Sequence, residues 1–185
     1  MGRLIYAAIA SLDGYVADAD GRFESLAPSE EVHAFVNELT RPVGTHLLGR
    51  SMYEVMSAWE TMDVTDEPSP IRDFAEIWRG SEKVVFSRTL SSVATDRTRL
   101  EREFDPNGIR RLKAETERDV AVGGPILAAE AFRAELVDEI QLFLCPVVFG
   151  GGKRALPDDL RLDLELVDER RFANGTVHLR YRTEA

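Results

Sequence analysis

Three short stretches carry groups suited to holding an anion: Gly49-Arg50-Ser51, Ser87-Arg88-Thr89 and Gly123-Gly124-Pro125. Arginine offers a planar fork of N–H donors that matches phosphate oxygens, and serine or threonine adds a hydroxyl donor. A Gly-Gly pair lets backbone approach a ligand closely. Pro125 suits a first helical position, where its missing N–H costs nothing. Pro125 and Ile126 then open a helix whose free N–H groups and positive dipole end favour a phosphate. A pyrophosphate fits the Gly-Gly turn, and a further phosphate, as on the ribose of NADP, fits between Arg50 and Arg88. No acidic residue favouring NAD stands beside Arg88. Each stretch alone also reads as a tight turn or a helix cap. Together they point to a dinucleotide site for NADPH.

Hydride transfer to a C=N or C=O group needs a proton at the neighbouring atom, and a carboxylic acid with a raised pKa can supply it. Glu30 and Glu31 begin the first helix, where acids favour the dipole while facing solvent. His33 lies on the same helix. Asp13, in Ser11-Leu12-Asp13-Gly14, is a candidate for shaping the loop over the nicotinamide, and equally reads as a local turn residue. Trp59 can stack on a planar ligand or sit half-buried in the core. Lys153 and Arg154 follow three glycines within reach of a substrate anion, but Gly-Lys-Arg lacks the hydroxyl residue of a P-loop.

These residues have to be positioned by strands and helices. Residues 3–10, 45–48, 83–86 and 120–122 read as strands, and residues 98–104 as an edge strand. Helices are predicted from Ser29 to the break at Pro42, over 50–56, 71–79 and 107–118, and from Pro125 to Leu136. Residues 15–26 and 61–70 read as loops. An apolar run over 140–149, broken by Pro146, precedes Gly150-Gly151-Gly152. Asn174-Gly175 joins residues 164–172 and 176–181 in a hairpin. The fold class is α/β: a mixed, mostly parallel sheet of about eight strands flanked by helices, ending in an antiparallel hairpin. In such a sheet ligands bind beyond the carboxyl ends of the strands, where all three anion-suited stretches fall.

A length of 185 residues suits one domain over 1–185. A net charge of -10 argues against nonspecific attraction to nucleic acid or anionic lipid. The single cysteine, Cys145, excludes an intrachain disulfide, and no metal site is expected. No apolar run approaches the length of a bilayer span, so a cytoplasmic setting is the default.

The segment Leu48-Gly-Arg-Ser-Met-Tyr-Glu54 resembles the Gly-Arg-Thr-x-x-Glu segment of dihydrofolate reductases, and Val84-Val-Phe-Ser-Arg88 and Val122-Gly-Gly124 resemble their next two nucleotide-binding strand ends. Ser11-Leu-Asp-Gly14, Leu136-Val-Asp-Glu139 and Pro146-Val-Val-Phe-Gly-Gly-Gly152 are closer to a bacterial branch that includes the reductase domain of riboflavin biosynthesis. The resemblance implies a dihydrofolate reductase-like fold and an NADPH-dependent reductase acting on a small heterocycle or carbonyl compound. Gly49, Arg50, Ser51, Ser87 and Arg88 would take the adenosine side and its phosphates. Gly123 and Gly124 would take the pyrophosphate, beside Pro125 and Ile126. Folate enzymes carry an acid on the first helix, and by this resemblance Glu31, the better positional match, is the candidate catalytic acid. By the same analogy a homodimer is expected, with the 140–149 run packing against its twin. Three positions depart from the pattern. Arg79 is offset from the arginine of folate enzymes, Phe143 replaces their pterin-contacting threonine, and Val122 replaces the glutamate that usually precedes Gly-Gly in riboflavin-pathway reductases. The alternative class is a nucleotide-binding or assembly protein on the same scaffold, without turnover.

Overall fold

The computed structural model describes residues 1–184. Its strands are β1 (Leu4–Ser11), β2 (Tyr15–Ala17), β3 (Val43–Gly49), β4 (Glu82–Phe86), β5 (Thr98–Glu101), β6 (Asp119–Gly123), β7 (Glu139–Cys145), β8 (Lys153–Arg154), β9 (Leu164–Arg171) and β10 (Val177–Thr183). Its helices are α1 (Glu30–Thr40), α2 (Arg50–Met56), α3 (Ala58–Thr61), α4 (Ser69–Gly80), α5 (Pro106–Glu115) and α6 (Pro125–Arg133). Eight strands form one sheet in the order β5-β4-β3-β6-β1-β7-β10-β9, and β2 and β8 form a separate ribbon. The six strands from β5 to β7 run parallel, whereas β10 is antiparallel to both of its neighbours. The expected α/β sheet with its terminal antiparallel hairpin is what the chain forms.

Alternation along the strands divides the core between two faces. Leu47, Val84 and Val122 pack under α5 and α6 with Ile109, Leu127 and Phe132. Leu48 and Val85, one residue on, pack under α2 and α4 with Tyr53, Phe74 and Trp78. Further along the sheet, Val32 and Phe35 of α1 cover Phe143 and Phe172. Burying each of these large side chains stabilises the fold by about 1.5–3 kcal/mol relative to exposure. Phe143 and Val122, two of the departures, are 2% and 1% exposed, so both are core positions.

Local chemistry sets the element ends. Ser29 caps α1 by accepting a hydrogen bond from the Val32 N–H, and Asp105 caps α5 through the Asn107 N–H. The last helix is shorter than its apolar spacing suggests. α6 stops at Arg133 because Glu135 turns left-handed, at φ 54°, and the Leu136 N–H reverts to the Ala131 carbonyl. The stretch 15–26 is not all loop, since β2 lies in it, and α3 fills the residues just before 62. The apolar run over 140–149 divides at Pro146: its first part is interior to the sheet in β7, between β1 and β10, while residues 146–149 follow outside the sheet, with Val148 65% exposed.

Candidate functional site

Strand register brings the three anion-suited stretches level. Leu48 lies beside Val85 and also beside Gly123, and Gly49 lies beside Phe86. Gly49, Ser87 and Gly124 therefore leave three adjacent parallel strands together, with neighbouring strands about 4.8 Å apart. Arg50 begins α2 and ties two of the ends to each other. Its Nε donates to Glu54 Oε1 at 2.7 Å and its Nη1 donates to Thr89 Oγ1 at 2.9 Å.

A cleft of about 900 Å³ opens along this edge, at the upper end of the size range of ligand sites. Gly49, Arg50, Ser51, Gly123, Gly124, Pro125 and Ile126 all line it, each an expected cofactor residue. Gly124 caps α6 at φ 89°, where a side chain is strained, and a Cβ there would lie 3.3 Å from Met52 Cβ. A Cβ on Gly123 would come within 2.9 Å of Leu48 Cδ2. The glycines thus let α2 close over the turn, as well as baring backbone. The first-turn N–H groups of Ile126 and Leu127 have no carbonyl within the helix to meet.

Ser87 and Arg88 flank the cleft rather than line it. The Ser87 hydroxyl accepts from the N–H groups of Thr89 and Leu90 at 3.3 and 3.0 Å, so it shapes the turn instead of standing free. That turn leaves Arg88 exposed beside Thr89 and its partner Arg50. Lys153, on β8 opposite Ala17, lines the cleft and also the small hollow formed with Pro125, Ile126 and Glu130. It stands near the start of α6, a place for an anion that its position in the sequence did not reveal.

The other half of the cleft is built where β1 and β6 part. They pair only as far as Tyr6 and Val122, while β1 stays on β7 to Ser11. Ala7, Ala8 and Ile9 line the opening. Tyr6 is buried beneath it, its hydroxyl donating to the Ala155 carbonyl at 2.5 Å, and burial pushes its phenol well above the ordinary value. Val16, Phe23, Leu26, Val55, Met56 and Trp59 complete the wall. Trp59 meets the Phe74 ring edge-on at 4.8 Å between centroids and the His33 ring at 6.0 Å. Arg79, the offset arginine, donates to the carbonyls of Trp59 and Met62 at 3.1 and 2.8 Å, so it secures this wall from behind.

Neither Glu31, the expected catalytic acid, nor Asp13, expected to shape the loop over the nicotinamide, lines the cleft. Glu31 Oε2 accepts from the Ala173 N–H at 3.1 Å, and Arg170 stands 3.9 Å from its other oxygen. Because α1 packs on Phe143 and Phe172, this side of its first turn meets the hairpin tip. Asp13 binds the loop after β7, its two oxygens accepting from the Phe149 and Gly150 N–H groups at 3.1 and 2.7 Å. The Ser11 hydroxyl and these two N–H groups pull its carboxyl down to about 2, which suits an anchor and not a proton donor. His33 is half-buried, and burial lowers its imidazole from the ordinary value. Among the described residues no helix is long and apolar enough to cross a membrane, and no group of His, Cys, Asp or Glu is placed to hold a metal ion.

The family model of the RibD C-terminal domain matches residues 3–178. The chain belongs to this family. YyaP, an uncharacterized protein of Bacillus subtilis (strain 168), is 25% identical to this RibD C-terminal domain protein over 183 residues, covering 97% of this chain and 94% of YyaP. Among solved structures, a Shewanella sp. PV-4 protein provisionally assigned to riboflavin biosynthesis superposes with a TM-score of 0.78 at 19% identity, over 99% of each chain. Dihydrofolate reductase from Enterococcus faecalis, solved in complex with NADP(H) and RAB-propyl, superposes with a TM-score of 0.64 at 16% identity, over 100% of this chain and 98% of that one. The chain thus has a dihydrofolate reductase-like fold.

Proposed function

We propose that the protein is an NADPH-dependent reductase that transfers hydride to a small heterocyclic or carbonyl substrate held in the apolar half of the cleft. The observation that carries this reading is the gathering of Gly49-Arg50-Ser51 and Gly123-Gly124-Pro125 on one cleft, with Arg50 reaching across to Thr89. The donor set fits the cofactor. The N–H groups at the start of α6, with Lys153 nearby, suit the pyrophosphate, and Arg50 and exposed Arg88 suit the additional phosphate that distinguishes NADPH from NADH. When bound, NADPH supplies a hydride. The chain's own contribution is to bind, to orient through Trp59 and the floor of β1, and to limit water around the reacting atoms.

Titration of the purified protein with NADPH and NADH tests the proposal, and equally negligible affinity for both would sink it. Charge-assisted hydrogen bonds contribute about 1.5–3 kcal/mol, so Arg50→Ala and Arg88→Ala should weaken NADPH roughly 10- to 150-fold while changing NADH little. Arg50→Ala should be the more damaging, because it also leaves the Glu54 carboxylate unpaired at the phosphate site. An unaltered NADPH-to-NADH preference in both variants would remove the assignment of the extra phosphate. NADPH binding without oxidation by any substrate would favour a nucleotide-binding protein without turnover.

A further inference from the structure

We infer that the substrate half of the cleft takes a planar, uncharged, apolar carbonyl compound, such as an aromatic aldehyde, an enone or a quinone. This inference rests on the reductase reading and narrows it. Its ground is the character of the wall. Phe23 and Val55 remain 47% and 50% exposed, although both are large and apolar, and they border a concave surface completed by Leu26, Met56 and Trp59. Apolar groups left open around a concavity mark a site for an apolar ligand.

Three of the four charged side chains of the cleft are engaged in other contacts, and the fourth, Lys153, stands toward the start of α6. Arg50 is tied to Glu54 and Thr89 at the cofactor end. Glu130 pairs with Arg133 at 3.2 Å, and Lys153 stands beside Pro125 and Ile126. Glu24 folds back so that its carboxylate accepts from the Phe23 N–H at 3.1 Å. None of these four is buried. The expected acid, Glu31, serves the hairpin turn. A pterin or an aminopyrimidine carries several N–H donors and ring acceptors, and against this wall they would lose water without gaining partners. A carbonyl compound brings one polar atom, which can keep its water at the open mouth, while its flat face meets the Trp59 ring.

The chemistry closes without a protein acid. Hydride from NADPH bonds to the electrophilic carbon, the π pair moves to the carbonyl oxygen, and water supplies the proton there and leaves as hydroxide, giving the alcohol and NADP⁺; for a quinone the resulting hydroxydienone then passes its ring C–H proton through water to the second oxygen, giving the hydroquinone. For an enone the hydride adds at the β-carbon, and the resulting enolate takes its proton from water.

The test follows NADPH oxidation with benzaldehyde, cyclohexenone and naphthoquinone, against a dihydropterin and a diaminouracil, with NADPH affinity measured separately by titration. Turnover of at least one apolar probe, with neither polar heterocycle turned over faster, supports the inference. Met56→Glu should then lower kcat/KM for that probe roughly 10-fold or more, because a carboxylate in the wall must be kept hydrated, while NADPH affinity stays unchanged. Val55→Glu serves as the second variant, since Val55 is half exposed and its replacement leaves the core alone. Faster turnover of a polar heterocycle, NADPH binding without turnover of any apolar probe, or no effect of either variant on kcat/KM overturns the inference while leaving the cofactor site standing. Absence of NADPH binding overturns the reductase reading itself.

Discussion

Half-buried His46 lies under α4, its ring 5.7 Å from that of Trp78 and its Nε2 shut off from solvent. Burial, and then the charges of Lys83 and Arg118, pull its imidazole down to about 4. A histidine in an unfolded chain titrates near 6.5. In the window between these values the unfolded chain binds the extra proton, so stability is fully present above about pH 6.5 and declines as the pH falls toward 4. Chemical denaturation at neutral and mildly acidic pH should show this loss, and His46→Leu should flatten it. An unchanged acid limb in the variant would contradict the account. At the level of single residues, Arg50 was legible because a guanidinium beside a strand-ending glycine has few roles to fill. Glu31 was not, because an acid in a first helical turn looks the same whether it faces a cleft or a hairpin. Phe23 and Met56 were illegible for the opposite reason, since an apolar residue in a sequence reads as core until its exposure is known.

The strand ends matter as a set, and their alignment comes from register. A shift of one residue in the pairing of β3 with β6 would exchange Leu47 and Leu48 between the two faces of the sheet and separate Gly49 from Gly124. That alignment could be expected from alternating strands and helices in an α/β chain, whereas the order of the strands could not. The ribbon of β2 and β8 escaped notice because two- and three-residue strands carry too little pattern. Gly124 tests the junction directly. At φ 89° an added methyl strains the backbone by about 1–3 kcal/mol, and it also crowds Met52. Gly124→Ala should lower stability by about that amount in denaturant titration, and should weaken NADPH binding further by displacing the start of α6. Wild-type stability in the variant would argue that the turn tolerates a side chain.

Across the whole molecule, the sheet ends in an exposed edge, β9. All eight residues of β9 are exposed, including Leu164, Leu166 and Val167, so the strand offers another chain both backbone and apolar side chains. Five of the eight are charged, and an irregularity opposite Arg180 and Tyr181 disturbs the edge midway. Both devices discourage edge-to-edge pairing, and a net charge of -10 adds repulsion between copies. Replacing Asp168 and Glu169 together with valine should therefore raise light scattering in concentrated solution with little change in Tm, and unaltered scattering would remove charge as the guard. The stretch beside the ribbon of β2 and β8 is held differently. Gly152 crosses so close to β2 that a Cβ there would lie 2.1 Å from the Ala17 carbonyl oxygen. The same stretch is fastened by Asp13 at Gly150 and by the Tyr6 hydroxyl at Ala155. It is a fixed jamb, bolted to the central strand and unable to swing without breaking those bonds. Traffic of ligands must then run along the facing side, past Phe23 and Leu26, so a tether joining that side to α2 would bar the doorway while sparing the nucleotide grip.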